Sequence, residues 1–166
     1  MRLFLAIPVS PAVRAALLHT AAQMKRLGSG TFARPENLHL TLAFLGETER
    51  LAAARDALDR ACEKAAPFSM AVGGLGRFGD LWWAGVEENA CLEHLALEIQ
   101  QTLREEGFAI ERRPWKPHIT LVRRWRGPDP DLCLPDTAMS VEWVSLLKSE
   151  RVDGRLVYTE LYRRPL

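Results

Sequence analysis

The residues best suited to do chemistry are a histidine and a threonine that occur together twice, in His39-Leu40-Thr41-Leu42 and His118-Ile119-Thr120-Leu121. The two histidines are 79 residues apart (118 − 39), close to half of the 166-residue chain. Alternate residues of a β-strand point to opposite faces, so the histidine and threonine of each copy share one face while apolar residues face the core. The repeat therefore predicts two similar lobes. Each would present an imidazole and a hydroxyl to a shared cleft.

Two facing imidazoles suit an in-line displacement at phosphorus, because the nucleophile and the leaving group lie on opposite sides of the phosphorus atom. An imidazole has an ordinary pKa of about 6.5, so one ring can accept a proton from water while the other donates one to the departing oxygen. Hydrolysis of a strained 2′,3′-cyclic phosphate needs both transfers. Threonine hydroxyls can donate to the non-bridging oxygens. This chemistry needs no metal or other cofactor, and the sequence lacks the carboxylate clusters of a two-metal phosphodiesterase.

A basic block surrounds the second motif. Residues 112–126 contain six cationic side chains and no acidic one, a formal charge of +6 in a chain whose net charge is +1. Charge runs are usually solvated surface, but this block brackets a predicted active-site strand, so we interpret it as a phosphate-binding rim. An arginine or lysine of this block would steady the negative charge of a phosphate, and Lys116 is a predicted substrate contact. Strict alternation from His118 places Arg123 on the opposite face, so a bulge or the end of the strand must bring it round.

Aromatic side chains near the cleft are candidates for stacking on a nucleobase. Trp115 and Phe78 are the better candidates in this sequence. Phe44 is a further candidate, although alternation puts it on the apolar face of its strand, where a core position is the usual outcome.

The hydrophobic periodicity predicts an α+β chain with three helices and mostly antiparallel strands. The predicted order is strand, helix, histidine strand, helix, strand, strand, helix, short strand, histidine strand and a final hairpin. Ser10, Thr48 and Asn89 are the predicted N-caps of the three helices. The glycine-rich segment 73–79 is predicted to be a loop near the cleft, since it lacks the ending of a phosphate-binding P-loop. Besides the second histidine strand, the C-terminal part of the chain is predicted to form strands at residues 108–111, 139–148 and 156–163.

The composition fits one globular domain over residues 1–166. Hydrophobic residues make up 48% of the chain, and a chain of this length can bury a core without disulfides. The three cysteines are widely spaced with no Cys-x-x-Cys pair, which fits a reducing cytoplasm and offers no zinc site. No apolar run is long enough for a membrane span, and the apolar N-terminal segment is too short for a secretory signal. Nothing in the sequence demands a partner chain, so we expect a cytoplasmic monomer.

The paired motifs, with Phe44-Leu45-Gly46 after the first and Arg123 after the second, resemble those of the two-histidine phosphoesterases. Within that superfamily the chain is similar to the RNA 2′,3′-cyclic phosphodiesterase (2′-5′ RNA ligase) family over essentially its whole length. The resemblance implies a bilobal α+β fold with two pseudo-symmetric lobes. Each lobe would carry a mostly antiparallel sheet with helices packed outside, and the His-x-Thr strands would face a central basic cleft.

The resemblance also implies a role in RNA processing, with an RNA that ends in a 2′,3′-cyclic phosphate as the partner. The implied reaction is metal-independent hydrolysis of that end to a 2′-phosphate. By position, His39 would be the proton donor and His118 the proton acceptor, while Thr41 and Thr120 would bind phosphate. Arg123 would be an additional phosphate or RNA contact.

Three other interpretations remain open at the level of sequence. The same groups could join a cyclic-phosphate end to a 5′-hydroxyl as a 2′-5′ linkage, although abundant water favours hydrolysis. The two motifs could instead hold phosphate in a non-catalytic RNA-binding module. A single histidine on a half-buried strand is most often a hydrogen-bonded structural residue, and that interpretation predicts two buried imidazoles that lie far apart.

Overall fold

The computed structural model describes residues 1–166 as three helices and nine strands in two sheets. The strands are β1 (Arg2–Pro8), β2 (Ser29–Phe32), β3 (His39–Glu47), β4 (Phe68–Phe78), β5 (Leu81–Val86), β6 (His118–Arg126), β7 (Thr137–Val141), β8 (Trp143–Val152) and β9 (Arg155–Pro165). The helices are α1 (Pro11–Leu27), α2 (Leu51–Ala61) and α3 (Ala90–Glu105), and a short 3-10 helix covers Pro35–Asn37. The predicted α+β class is confirmed.

The two histidine strands lie in different sheets. The first sheet has the order β3-β1-β8-β9 and the second has the order β2-β6-β5-β4-β7, with every pair antiparallel. Helix α1 packs on the second sheet, whereas α2 and α3 pack on each other, with α3 against β3 and α2 against β9. The predicted arrangement of two lobes with antiparallel sheets and outer helices is therefore confirmed. Strand β3 is an edge strand, while β2 covers the outer edge of β6.

Two of the three predicted helix N-caps are present. The Ser10 hydroxyl accepts a hydrogen bond from the Val13 amide at 3.2 Å, and the Asn89 side chain accepts one from the Leu92 amide at 3.0 Å. These bonds satisfy N–H groups that have no partner within the helix. The predicted cap at Thr48 is wrong: α2 begins after Arg50, which has no side-chain cap, and the Thr48 hydroxyl binds the Arg50 amide at 3.1 Å in the preceding turn.

The glycine-rich segment 73–79 is not a loop, because β4 continues through it to Phe78. Against β5, β4 contains one extra residue between Val72 and Leu75, and Gly74 has a φ of +77° at this irregularity. A bulge of this kind accommodates glycine more easily than other residues. The glycines also allow close packing: a Cβ on Gly76 would lie 2.2 Å from the Trp83 ring.

The strand assignment differs from the prediction at three further places. Residues 29–32 form β2, which the sequence did not indicate, and residues 108–111 form no strand. The predicted strand 139–148 is divided at Glu142 between β7 and β8, which belong to different sheets. The second half of the predicted hairpin, β9, is confirmed as the partner of β8.

The largest hydrophobic cluster contains 35 buried residues and draws on both sheets and all three helices. The apolar residues of the histidine motifs, Leu40, Leu42, Ile119 and Leu121, are all at most 2% exposed. The predicted inward face is confirmed for the two four-residue motifs, so the histidine and threonine of each lie on the opposite face. None of the helices combines the length and apolar character needed to cross a membrane.

Candidate active site

Each histidine is held by the backbone two residues before it. The Nδ1 of His39 lies 2.6 Å from the carbonyl oxygen of Asn37, and the Nδ1 of His118 lies 2.8 Å from that of Lys116. A carbonyl can only accept, so in both rings Nδ1 carries the hydrogen and donates it. The neutral form of each ring therefore has its lone pair on Nε2. In both rings, Nε2 is thus the nitrogen that can accept a proton.

The two Nε2 atoms differ in their contacts. Nε2 of His39 lies 2.8 Å from the Thr41 hydroxyl, which donates to it when the ring is neutral. Nε2 of His118 makes no hydrogen bond to a protein group, and Thr120 lies two residues further along the same strand. Asn37 is fixed in turn, because its side-chain amide donates to the Leu156 carbonyl of β9 at 2.9 Å.

Each imidazole also meets the edge or face of two aromatic rings. Tyr158 stands edge-to-face with His39, with the ring centroids 5.3 Å apart and the planes at 85°. Phe78 stands in nearly the same way to His118, at 5.0 Å and 87°. Phe4 is the second neighbour of His39 at 5.1 Å, and Trp83 is that of His118 at 6.1 Å. Such packing favours one ring orientation.

Matching bulges place Phe44 and Arg123 on the histidine faces of β3 and β6. On β3, Thr41 and Ala43 pair with consecutive residues of β1, so Leu42 is the extra residue; on β6, Thr120 and Val122 pair with consecutive residues of β5 in the same way. Alternation therefore shifts by one after each motif. The bulge needed to bring Arg123 round to the face of His118 is present.

The bulge in β3 overturns the prediction that Phe44 lies on the apolar face. Its side chain is 66% exposed, whereas Ala43 is 5% exposed, and its ring lies 6.2 Å from that of Phe4 on the histidine side. Phe44 and Arg123 are both five residues beyond their histidines (44 − 39 and 123 − 118). The two lobes thus place an aromatic ring and a guanidinium at equivalent positions.

The electrostatic environment of His39 favours its neutral form. Burial lowers the pKa of His39 below its ordinary value, the positive charges of Arg123 and His118 lower it further, and the hydrogen bond to Asn37 opposes the shift. Charge–charge effects of this kind decay with distance. Arg123 and His118 therefore act on His39 across the gap between the two sheets, which argues against two isolated structural histidines.

A cavity of about 850 Å³ opens beside this gap. Of the predicted site residues it is lined by Thr41, Phe44, Phe78, Trp115, Lys116 and His118, whereas His39, Thr120 and Arg123 lie outside its lining. The ammonium of Lys116 lies over the rings of Trp83 and Phe78, at 4.9 Å and 5.7 Å from their centroids. The Trp115 indole donates to the Thr41 carbonyl at 3.1 Å, so it ties the segment before β6 to β3.

The sequence interpretation missed three aromatic residues that contact the histidines: Phe4, Trp83 and Tyr158. It also missed Asn37, whose carbonyl supports His39. The exposed face of β9 could have suggested Tyr158, but only after the pairing of β9 with β8 was known. The structure contains no group of three or more histidine, cysteine, aspartate or glutamate side chains arranged to hold a metal ion.

Comparison with protein families identifies relatives over most of the chain. A family model described as the 2′-5′ RNA ligase superfamily matches residues 8–152. A relative from Geobacillus stearothermophilus, named RNA 2′,3′-cyclic phosphodiesterase, is 35% identical over 76% of this chain and 43% of its own length. This chain therefore spans less than half of that protein. A Thermus thermophilus relative with the same name is 34% identical over 97% of this chain and 88% of its own length.

Solved structures share the whole fold. A protein of Thermus thermophilus superposes with a TM-score of 0.88 at 31% identity, over 100% of this chain and 98% of its own. The LigT protein of E. coli, crystallised with 3′-AMP, superposes with a TM-score of 0.85 at 28% identity, over 99% of this chain and 97% of its own.

Proposed function

Since the chain belongs to the 2′-5′ RNA ligase superfamily, we propose that it hydrolyses RNA 2′,3′-cyclic phosphate ends to 2′-phosphate ends. One observation carries the proposal: a backbone carbonyl holds Nδ1 of each His-x-Thr histidine, which leaves Nε2 for proton transfer in both, and the charge of His118 acts on His39. With Nδ1 held as a donor in both rings, a neutral ring can act as the base and a protonated ring as the acid, each through Nε2, in one displacement. We also infer that residues 1–166 form one domain that acts as a monomer in the cytoplasm.

In the proposed reaction, His118 Nε2 takes a proton from a water whose oxygen attacks phosphorus. The bond from phosphorus to the ribose O3′ breaks, and His39 Nε2–H gives its proton to O3′. The phosphate stays on O2′. The donor and acceptor roles follow the family resemblance. No resident metal or cofactor takes part in any of these steps.

The hydroxyls of Thr41 and Thr120 can stabilise the negative charge that develops on the phosphate oxygens. In the free protein the Thr41 hydroxyl donates to the neutral Nε2 of His39 at 2.8 Å. Once His39 is protonated and its Nε2–H is directed at O3′, the Thr41 hydroxyl is free to donate to a phosphate oxygen. Thr120 would act similarly beside His118. Donors aimed at developing negative charge stabilise a transition state more than a ground state. Arg123 and Lys116 would place positive charge near the phosphate. The aromatic residues Phe44, Phe78 and Trp115 would contact the terminal nucleoside.

The proposal is tested with EDTA-treated protein and a short RNA that ends in a 2′,3′-cyclic phosphate. We expect wild-type protein to produce a 2′-phosphate end, and His39→Ala and His118→Ala to lose at least about a hundredfold in kcat, the usual contribution of one acid or base. His19→Ala, on the exposed side of α1, is the matched control and should keep full activity. The variants are checked for folding by circular dichroism.

Other outcomes point to the alternatives. Dependence on added metal would contradict the two-histidine mechanism. RNA binding without turnover in all four proteins would contradict the enzyme and favour a binding module. Adding an RNA with a 5′-hydroxyl end and analysing linkages shows whether 2′-5′ joining accompanies hydrolysis.

A further inference from the structure

Tyr158 lies at the site although the proposed reaction gives it no role. It belongs to β9, the edge strand of the first sheet, and it packs against Phe4 with ring centroids 4.9 Å apart. Phe4, Ala6 and Leu147 form a small buried cluster separate from the main core, and Tyr158 covers it. This places Tyr158 on the sheet face that carries His39, away from the main core.

The hydroxyl of Tyr158 is not needed to hold His39. Phe78 holds His118 in almost the same edge-to-face geometry without a hydroxyl: 5.0 Å and 87°, against 5.3 Å and 85° for Tyr158. The hydroxyl also makes no hydrogen bond to a protein group. Tyr162, the only other tyrosine, donates its hydroxyl to Asp59 at 2.7 Å. The buried side-chain atoms that lack a partner are Arg14 Nε, Trp83 Nε1 and Arg104 Nε, so the Tyr158 hydroxyl is accessible and free to donate to a ligand.

The positive charges of two arginines, Arg123 and Arg2, act on the Tyr158 hydroxyl. Burial raises the pKa of Tyr158, so the phenol stays protonated as a donor, and the charges of Arg123 and Arg2 act on it in the opposite direction. Arg123 acts in the same way on His39. One guanidinium is therefore within electrostatic reach of both the imidazole and the phenol. The bulge in β6 turns Arg123 to the face that carries His118, so the hydroxyl and the guanidinium border the same cleft. Two such donors suit an anionic oxygen.

We propose that the Tyr158 hydroxyl and the Arg123 guanidinium form a phosphate-binding subsite on the His39 side of the cleft, which receives a phosphate of the bound RNA end. The inference rests on the proposed function for the nature of its ligand. The phosphate is either the reacting cyclic phosphate or the phosphodiester that joins the terminal nucleotide to the next one. The Tyr158 ring is a positioning element for His39, and the hydroxyl is the ligand.

Tyr158→Phe tests the subsite because it removes the hydroxyl and keeps the ring. We expect its affinity for adenosine 2′-monophosphate to fall about tenfold or more, the usual effect of losing a hydrogen bond to a charged group. Its affinity for adenosine, which lacks the phosphate, should not change. Tyr162→Phe is the matched control, since it removes a hydroxyl far from the histidines and should leave both affinities unchanged. Calorimetry provides a readout that does not depend on turnover.

Kinetics with two substrates then identify the phosphate. If the hydroxyl binds the reacting phosphate, Tyr158→Phe lowers kcat/KM for adenosine 2′,3′-cyclic phosphate and for a dinucleotide with the same end. If it binds the neighbouring phosphodiester, only the dinucleotide is affected. Unchanged affinity for adenosine 2′-monophosphate together with unchanged kinetics on both substrates overturns the subsite.

A shift in the titration of His39 in Tyr158→Phe would also overturn it, because the hydroxyl would then act through the imidazole. Wild-type protein that binds adenosine 2′-monophosphate through Tyr158 but hydrolyses no cyclic phosphate would refute the proposed function and leave the subsite standing.

Discussion

At the scale of single residues, the two histidines have the same support and different surroundings. Backbone carbonyls fix Nδ1 in both, but only His39 has its Nε2 bonded to a threonine. Burial and the charge of Arg123 lower the pKa of His39. A lowered pKa keeps His39 neutral in the free protein near pH 7, whereas the proposed donor role requires it to be protonated. A bound phosphate would raise the pKa of His39, because its negative charge favours the imidazolium. In the proposed mechanism, therefore, substrate binding protonates His39.

The titration of His39 tests this description. We expect NMR to give a midpoint below about 6.5, the ordinary value for histidine. Arg123→Gln should move the midpoint upward, because removing a nearby positive charge makes the imidazolium less unfavourable. Arg126→Gln is the control: it removes an exposed arginine of the same strand that does not shift the pKa of His39, so the midpoint should not move.

A midpoint of His39 at or above the ordinary value, or one that Arg123→Gln leaves in place, would contradict the electrostatic coupling. Saturating adenosine 2′-monophosphate should raise the midpoint in wild-type protein. An unchanged midpoint in that complex would contradict protonation driven by substrate.

The positions of the histidines and threonines could be predicted from the sequence because their period of two fits a strand. The positions of Phe44 and Arg123 could not, because one extra residue in each strand reverses the alternation after it. The sequence indicates the bulge only for Arg123, whose charge must reach the cleft. It gives no such indication for Phe44, because an aromatic residue also fits the apolar face.

At the scale of elements, the edge of β3 is closed by side chains rather than by a strand. The buried side chain of Gln100 donates from Nε2 to the Leu42 carbonyl at 3.0 Å, and the Trp115 indole binds the neighbouring Thr41 carbonyl. Leu42 is the extra residue of the bulge. Helix α3 therefore supplies the hydrogen bond that the irregular strand lacks. This bond helps to keep Phe44 on the histidine face.

Gln100→Leu should lower the free energy of unfolding by about 1–3 kcal/mol, because it leaves the Leu42 carbonyl buried without a partner. Gln101→Leu is the control. Its side chain is exposed and bonded to Glu105 at 3.0 Å, so the change should stay within about 0.5 kcal/mol. Denaturant unfolding measures both. Equal effects of the two substitutions would show that the Leu42 carbonyl does not depend on Gln100.

The elements that the sequence predicted well have strong local signals. Helices α1 and α3 combine apolar periodicity with the caps Ser10 and Asn89. The elements that it missed depend on tertiary contacts. The short strand β2 is defined by its pairing with β6, and the division of 139–148 at Glu142 reflects which sheet each half joins. Neither pairing leaves a distinct pattern in the local sequence.

At the scale of the whole molecule, the two lobes repeat one arrangement with different side chains. Each has a histidine strand beside a partner strand, a bulge after the motif and an edge-to-face aromatic ring. The tandem motifs were enough to predict this duplication. The asymmetry was not predictable: Phe44 lines the cavity on one side, and Arg123 acts on His39 and Tyr158 from the other. We interpret the first side as the nucleoside side and the second as a phosphate side.

The shared core predicts that the two lobes unfold together. The main cluster joins residues from both sheets, and the Trp115–Thr41 hydrogen bond adds a polar link between β3 and the segment before β6. A single core of this kind unfolds in one cooperative transition. Urea unfolding followed by circular dichroism and by tryptophan fluorescence should give coincident curves. Native-state hydrogen exchange should give the same opening free energy for the slowest amides of β8 and of β5, which lie in different sheets. If β5 opened at a lower free energy than β8, the lobes would be separate units, and the distance between the histidines would not be fixed by the core.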